Sequence, residues 1–391
     1  MSVEVRVGII GCGSRVRHLA HHLVKDNPRL EVSYLADPSD ESIAATRKLF
    51  GRDLPATHDH RELCKSKEVD WVMIGSWNCF HREHAIDAMQ AGKDVFCEKP
   101  LATSLDDCLA IREARDRTGR KLYMGFTLRH SPHCRKVREV VESGKLGQVI
   151  SFEFNETLDF NHGGFIHQDW RRLTKHAGSH LLEKCCHDID LVNWMIGSRT
   201  ARVASFGGLD FFVPANARHM ERLGTNDRGV RAYMAMGNHN KGADGEAGSN
   251  PFNSEKDIVD NQIVIMEYEN GVRATFHTNC NAGIPERRMY ILGSEGAIRA
   301  DVLTGVIQSK RIGFDTKIID HETGASGGHG GGDDVLAQEL KDCMLDGALP
   351  AAGLEDGLTS AVTCFGIDQA CDTGKVVDMA PLWEQAGMEM E

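Results

Sequence analysis

The run Val5-Arg6-Val7-Gly8-Ile9-Ile10, feeding straight into Gly11-Cys12-Gly13 and then a helical pattern, constrains this chain more than any other stretch. A β-branched strand, a G-x-G bend and a helix form the opening of a βαβ unit. Its glycines permit a tight turn and close backbone approach, and its helix N-terminus faces an anion. A third glycine would fall at position 16, where the chain has Val16, so strand and helix are expected to pack slightly further apart. The same grammar repeats, with strands expected over 31–36, 71–74, 94–97 and 121–124 and helices over stretches such as 81–91 and 105–115. The fold class implied for residues 1–125 is α/β, a doubly wound parallel sheet.

After about residue 147 the pattern changes to longer alternating strands. Residues 263–268 and 272–277 flank Glu269-Asn270-Gly271, in which Asn-Gly supplies the positive-φ positions of a tight turn. A large, mostly antiparallel sheet in a C-terminal α+β domain over 126–391 is therefore expected. A helical region at 353–375 is able to pack back on the first domain. Residues 179–196 read as one helix, 214–256 as a polar loop or lid, and 324–332 as a glycine-rich stretch before a helix over 333–345.

At 391 residues, two domains fit the length. The net charge of -12, from 45 Lys+Arg against 57 Asp+Glu, argues against nucleic acid or an anionic lipid surface as partner. No apolar stretch approaches the roughly 18 residues of a membrane span. The first ten residues carry no signal-peptide pattern, which points to the cytoplasm. Twelve scattered cysteines without a C-x-x-C pair read as small buried hydrophobes.

Ligands of an open α/β sheet bind beyond the carboxyl ends of its strands, so residues at those ends are the candidates. They are Gly11, Gly13, Ser14 and Arg15 after the first strand, Asp37 after the second, Ser76, Trp77, Asn78 and His81 after the third, and Glu98-Lys99-Pro100 after the fourth. A carboxylate at Asp37 accepts hydrogen bonds from ribose hydroxyls and repels a 2′-phosphate, which favours NAD over NADP as cofactor. Lys99, placed beside a cofactor, can take part in proton transfer.

Together with Asn78-x-x-His81, the segment 126–132 containing Arg129, Gly147-x-Val149 and His187-Asp188-Ile189-Asp190, these motifs resemble the Gfo/Idh/MocA oxidoreductases over nearly the whole chain. The resemblance implies a Rossmann first domain, a nicotinamide dinucleotide, a sugar or polyol substrate, and Lys99 and His187 at the reacting carbon. Many dehydrogenases of that family carry aspartate four residues before the histidine; this chain has Glu183. On a regular helix Glu183, His187, Asp190 and Trp194 share a face, so Glu183 can orient His187 or touch substrate itself.

A metal site of Glu183, His187, His329 and Asp333 is the weaker reading, because nicotinamide chemistry needs no metal; His329 is expected to border the substrate instead. The pairs Arg171-Arg172, after Trp170, and Arg287-Arg288 make an anionic sugar a live hypothesis, with Arg129, Trp170, Arg171 and Arg288 among the substrate contacts. The expected activity is NAD-dependent oxidation of a CH–OH carbon. The alternatives are an NAD-dependent glycosidase that oxidises transiently, eliminates, hydrates and reduces again, and a non-catalytic NAD-sensing regulator. A broad sheet needing one face covered predicts a homodimer or homotetramer.

Overall fold

The structure is a computed structural model that describes residues 3–234, 236, 250–324 and 328–388. It divides into two compact units, Met1–Ser131 with Gly331–Ala361, and Pro132–Gly330 with Val362–Glu391.

The first unit holds six strands, β1 (Val5–Ile10), β2 (Leu30–Ala36), β3 (Ala56–Thr57), β4 (Trp71–Ile74), β5 (Asp94–Cys97) and β6 (Leu122–Met124), in the order β3-β2-β1-β4-β5-β6. All pairings are parallel. The order reverses between β1 and β4, which opens a crevice at the carboxyl ends of those strands. The two-residue strand β3 is too short to leave a periodic signal, and the sequence reading does not contain it.

Two stretches expected in the second domain, 126–131 and 331–352, fall in the first unit. The helix Gly332–Asp346 buries Leu336, Ala337, Leu340, Cys343 and Met344 in the same apolar cluster as Val7, Ile9, Leu19 and Met73. Burial of that stripe outweighs adjacency along the chain. Of the region 353–375, only the part up to Ala361 falls in the first unit.

The second unit is built on nine strands: β7 (Val149–Asp159), β8 (Thr200–Gly208), β9 (Asn261–Tyr268), β10 (Arg273–Ala282), β11 (Arg288–Gly293), β12 (Gly296–Asp301), β13 (Val306–Arg311), β14 (Ile319–Asp320) and β15 (Val377–Asp378). Their order is β14-β13-β12-β11-β7-β10-β9-β8-β15, and every neighbouring pair is antiparallel except β7 with β10. The expected β9–β10 hairpin forms, with Arg273 opposite Glu267.

Two expectations for this unit change. The excursion 214–256 is not a plain loop where it is described: Phe211, Phe212, Tyr233 and Phe252 pack with Leu158 and Ile166 into a second apolar cluster, and Arg218–Leu223 is helical. Residues 237–249 of that excursion, and 325–327 of the glycine-rich stretch, lie outside the described residues. The expected helix over 179–196 contains a π-helical turn, Leu181–Cys185, before the α-helix Cys186–Ile196.

Candidate active site

In the first unit the candidate residues cluster by strand end. Gly11 has φ +81°, and a Cβ there would lie 2.4 Å from the Ser76 nitrogen, so only glycine fits the bend. Gly13 caps the helix Ser14–Val24 without a side-chain hydrogen bond, leaving first-turn N–H groups available for an anion. Val16 is accommodated from the other side: a Cβ on Gly75 would lie 2.5 Å from the Val16 Cβ. The wider spacing expected from Val16 is thus offset by a glycine at the end of β4.

Asp37 accepts from the Cys12 nitrogen at 2.6 Å and the Ser39 nitrogen at 2.7 Å. Burial nevertheless raises its pKa, against the lowering effect of these two bonds. The carboxylate is held in the crook between β2 and the glycine turn. Glycine bend, open helix start and carboxylate together fit a dinucleotide.

Ser14 lies in the first turn, with its hydroxyl 3.3 Å from His18 Nδ1. Ser76 Oγ is 2.9 Å from His84 Nδ1, and Trp77 sits 6.3 Å from the Phe80 ring. Asn78 is buried on a 3₁₀ turn. His81 departs from expectation: it is fully buried, with Nδ1 2.8 Å from the Pro100 carbonyl and Nε2 3.2 Å from the Ser76 carbonyl. Burial lowers its pKa, so the neutral ring has one N–H to donate to one of these two carbonyls, and both ring nitrogens are turned to backbone rather than outward.

Glu98 continues the sheet, its nitrogen donating to the Ile74 carbonyl at 2.9 Å, and Lys99 follows, partly buried. Glu98 accepts from Arg15 Nε at 2.9 Å; Arg15 Nη2 donates to Thr127 Oγ1 at 2.7 Å, and Nη1 donates to Asp333. Arg129, expected at the substrate, is buried, donates to the Ala351 carbonyl at 3.0 Å and pairs with Asp356 at 2.9 Å. Its guanidinium anchors the returning segment.

In the second unit the π-helical turn Leu181–Cys185 shifts the register, so Glu183 and His187 do not keep the shared face of a regular α-helix. Glu183 accepts from Arg171 Nε at 3.0 Å, and Arg171 Nη1 donates to Asp169 at 2.5 Å. The guanidinium carbon lies 4.4 Å from the centre of the buried Trp170 ring. Burial pushes the Asp169 carboxyl up to about 6, against the pull of Arg171. Asp169 went unrecognised in the sequence, although it caps the 3₁₀ turn Trp170–Arg172 from the N-terminal side. His187 is buried, and its ring centre lies 6.2 Å from that of His329, which has φ +51°.

Asp188, next to His187 in the chain, belongs to a buried quartet that no spacing in the sequence marks. Asp188 takes a two-point ion pair from Arg287 at 2.8 Å, and Glu156 pairs with Arg287 at 2.9 Å and Lys184 at 2.7 Å. Burial, reinforced by Glu156, pushes Asp188 up to about 7. Although burial acts the other way, Arg287 and Lys184 hold Glu156 well below the ordinary range. Arg288, expected at the substrate, is half-exposed and pairs with Glu153 at 2.7 Å; strand alternation turns it away from its neighbour Arg287.

Two groups among the described residues bring three metal-type donors together: His60, Glu83 and Asp87, and Glu156, Cys185 and Asp188. Arg61 occupies the first group, and Lys184 and Arg287 neutralise the second. Neither contains Glu183, His187, His329 or Asp333. No helix among the described residues is long and apolar enough to cross a membrane.

Comparison with known proteins identifies the family of the chain. An oxidoreductase family with an NAD-binding Rossmann fold matches residues 5–126, and the C-terminal alpha/beta domain of that family matches 138–379. Inositol 2-dehydrogenase 3 of Saccharopolyspora erythraea is 30% identical over 97% of this chain and 96% of its own. The 2,7-anhydro-N-acetylneuraminate hydratase of Escherichia coli is 26% identical over 82% of this chain and 73% of its own. The solved structure of levoglucosan dehydrogenase in complex with NADH shares the fold, with TM-score 0.77 and 18% identity over 96% of this chain and 99% of that one. With its glycine turn, its strand-end lysine and both domains accounted for, the chain belongs to the Gfo/Idh/MocA oxidoreductase family, and NAD is the cofactor of its first domain.

Proposed function

We propose that the protein is an NAD-dependent dehydrogenase that oxidises a CH–OH carbon of a neutral sugar or polyol. The observation that carries this reading is Lys99 at the carboxyl edge of β5, in the same sheet as the Gly11 bend and Asp37. NAD, when bound, accepts the hydride from the carbinol carbon. Asp37 holds the adenosine ribose, the backbone after Gly13 holds the pyrophosphate, and Ser76 and Trp77 border the nicotinamide half. Lys99 and His187 take the hydroxyl proton in the oxidative direction and return it in the reductive one. His329 borders the substrate beside His187.

Support for a neutral substrate comes from the arginines. Arg129, Arg171, Arg287 and Arg288 each already pair with carboxylates, which lowers the field an anion would meet. Glu183, bound to Arg171, acts as an orienting group for the helix that carries His187 rather than as an extra base.

The test is one assay on a panel of free sugars, polyols and glycosides, following NADH absorbance and aglycone release together. Stoichiometric NADH is expected. Aglycone release without net NADH would instead favour the redox-neutral route. Neither signal across the panel would favour an NAD-sensing regulator.

The proposed assembly is a homodimer or homotetramer through the outer face of the nine-stranded sheet. Ile150, Phe206, Ile263 and Ile265 are exposed there among the charges of both signs on Arg202, Glu267 and Arg273. A mass of one chain in size-exclusion chromatography with light scattering would sink this assignment.

A further inference from the structure

Arg15 stands in the first turn of the helix that begins at the glycine bend, where a cation would be expected to meet a dinucleotide pyrophosphate. Its partners point elsewhere. Each of its three guanidinium nitrogens is engaged: Nε with Glu98 at 2.9 Å, Nη2 with Thr127 Oγ1 at 2.7 Å, and Nη1 with Asp333. Glu98 and Thr127 are buried, whereas Arg15 and Asp333 are partly exposed. One guanidinium between two carboxylates leaves the cluster with formal charge -1, so a pyrophosphate brought against it would meet net repulsion. The three partners come from places remote in sequence: the residue before Lys99, the short helix Thr127–His130, and the first turn of the helix Gly332–Asp346.

From this we infer that Arg15 is a positioning residue: it ties Glu98, and through the adjoining peptide Lys99, to Thr127 and Asp333, and it is not a ligand of the cofactor phosphates. The inference rests on the proposed role of Lys99. Asp333 then matters to the chemistry only through Arg15, and a residue more than 300 positions downstream helps set the environment of Lys99. Loss of the guanidinium removes a neighbouring cation, so the Lys99 ammonium holds its proton more firmly and the free amine becomes scarcer.

The test compares wild type with Arg15→Met, Arg15→Lys, Asp333→Asn and the double variant, using two readouts that need no turnover. NADH affinity is read by nicotinamide fluorescence. The reactivity of Lys99 towards a pulse of acetic anhydride at pH 8 is read by mass spectrometry of its peptide. Expected are an NADH Kd within threefold of wild type in every variant, Lys99 labelling at least threefold slower in Arg15→Met, and intermediate labelling in Arg15→Lys. The double variant should label within twofold of Arg15→Met. If a substrate is found, kcat falls about tenfold in Arg15→Met while the KM for NAD stays within threefold.

A tenfold or greater rise in Kd with unchanged Lys99 labelling would overturn the inference and make Arg15 a phosphate ligand. No change in either would make it an ordinary ion pair, which also overturns it. Failure of the substrate panel would count against the proposed dehydrogenase while leaving the binding and labelling results readable.

Discussion

The surroundings of Lys99 and of His187 are built on opposite principles. Around Lys99 the arrangement is set mainly by backbone: parallel strand ends, a glycine bend at φ +81°, a helix start without a side-chain cap, and a partly exposed arginine cluster. On the helix that carries His187 the arrangement is set by buried charge, with its neighbour in the chain, Asp188, tied to Arg287 and through it to Glu156 and Lys184, all at side-chain exposures of 15% or less. A backbone cradle tolerates exchange of many side chains but not the addition of a Cβ. A buried ion network tolerates no unpaired member, because each charge depends on its partner for the solvation it has lost.

The contrast can be broken in several ways. The largest expected effect is on chemistry: Lys99→Ala should lower kcat by about 10²- to 10⁴-fold, the usual worth of a positioned acid or base, with little change in NADH binding. Undiminished turnover would remove Lys99 from the proposed mechanism. Next is the buried quartet, where Arg287→Met takes the ion-pair partner from Asp188 and leaves Glu156 with Lys184 alone, and should cost about 3–5 kcal/mol in urea unfolding. A loss below about 1 kcal/mol would show that the quartet is better hydrated than its burial implies.

On the backbone side, Gly75→Ala places a Cβ against Val16 and should cost about 1–3 kcal/mol by overpacking. The double variant with Val16→Gly should recover part of that loss; no recovery would mean that the strain lies elsewhere. An effect confined to acid is expected from His84, whose pKa burial lowers to about 3. The unfolded chain takes up a proton below about pH 6.5 that the folded chain refuses until near pH 3, so stability is full above 6.5 and falls with acid across that window. The slope is at most about 1.4 kcal/mol per pH unit, and His84→Gln should remove it from the pH dependence of the urea midpoint. An unaltered slope would refute the assignment.

The smallest effect belongs to Arg288→Ala. A half-exposed ion pair with Glu153 should change stability by about 0.5 kcal/mol or less and leave substrate KM unchanged. A raised KM for an anionic sugar alone would restore the anionic-substrate reading.

The two regions also differ in how far they can be read from residues alone. Gly11, Gly13 and Asp37 announce themselves because the constraint is local: a strand, a bend and a carboxylate within one βαβ unit. Arg171, Arg287 and Arg288 look alike in sequence, each one of an adjacent pair. Only folding separates them, since Arg287 meets Asp188 and Glu156 while Arg288, one residue on, meets Glu153 on the outer part of the sheet. His81 has the spacing of a cofactor contact, yet it is spent on the Pro100 and Ser76 carbonyls. The π-helical turn at Leu181–Cys185 leaves no periodic mark, because one extra residue in a turn is invisible to a pattern of 3.6.

The sequence by itself determined the alternating first domain, the antiparallel second one, the family and the cofactor, because strand period, turn chemistry and glycine placement act over short stretches of chain. Tertiary structure alone decided that Gly75 makes room for Val16, that residues 331–352 return to the first unit, and which arginines are already committed to carboxylates. Those outcomes depend on which distant side chains share a volume from which water is excluded, and no spacing along the chain encodes that.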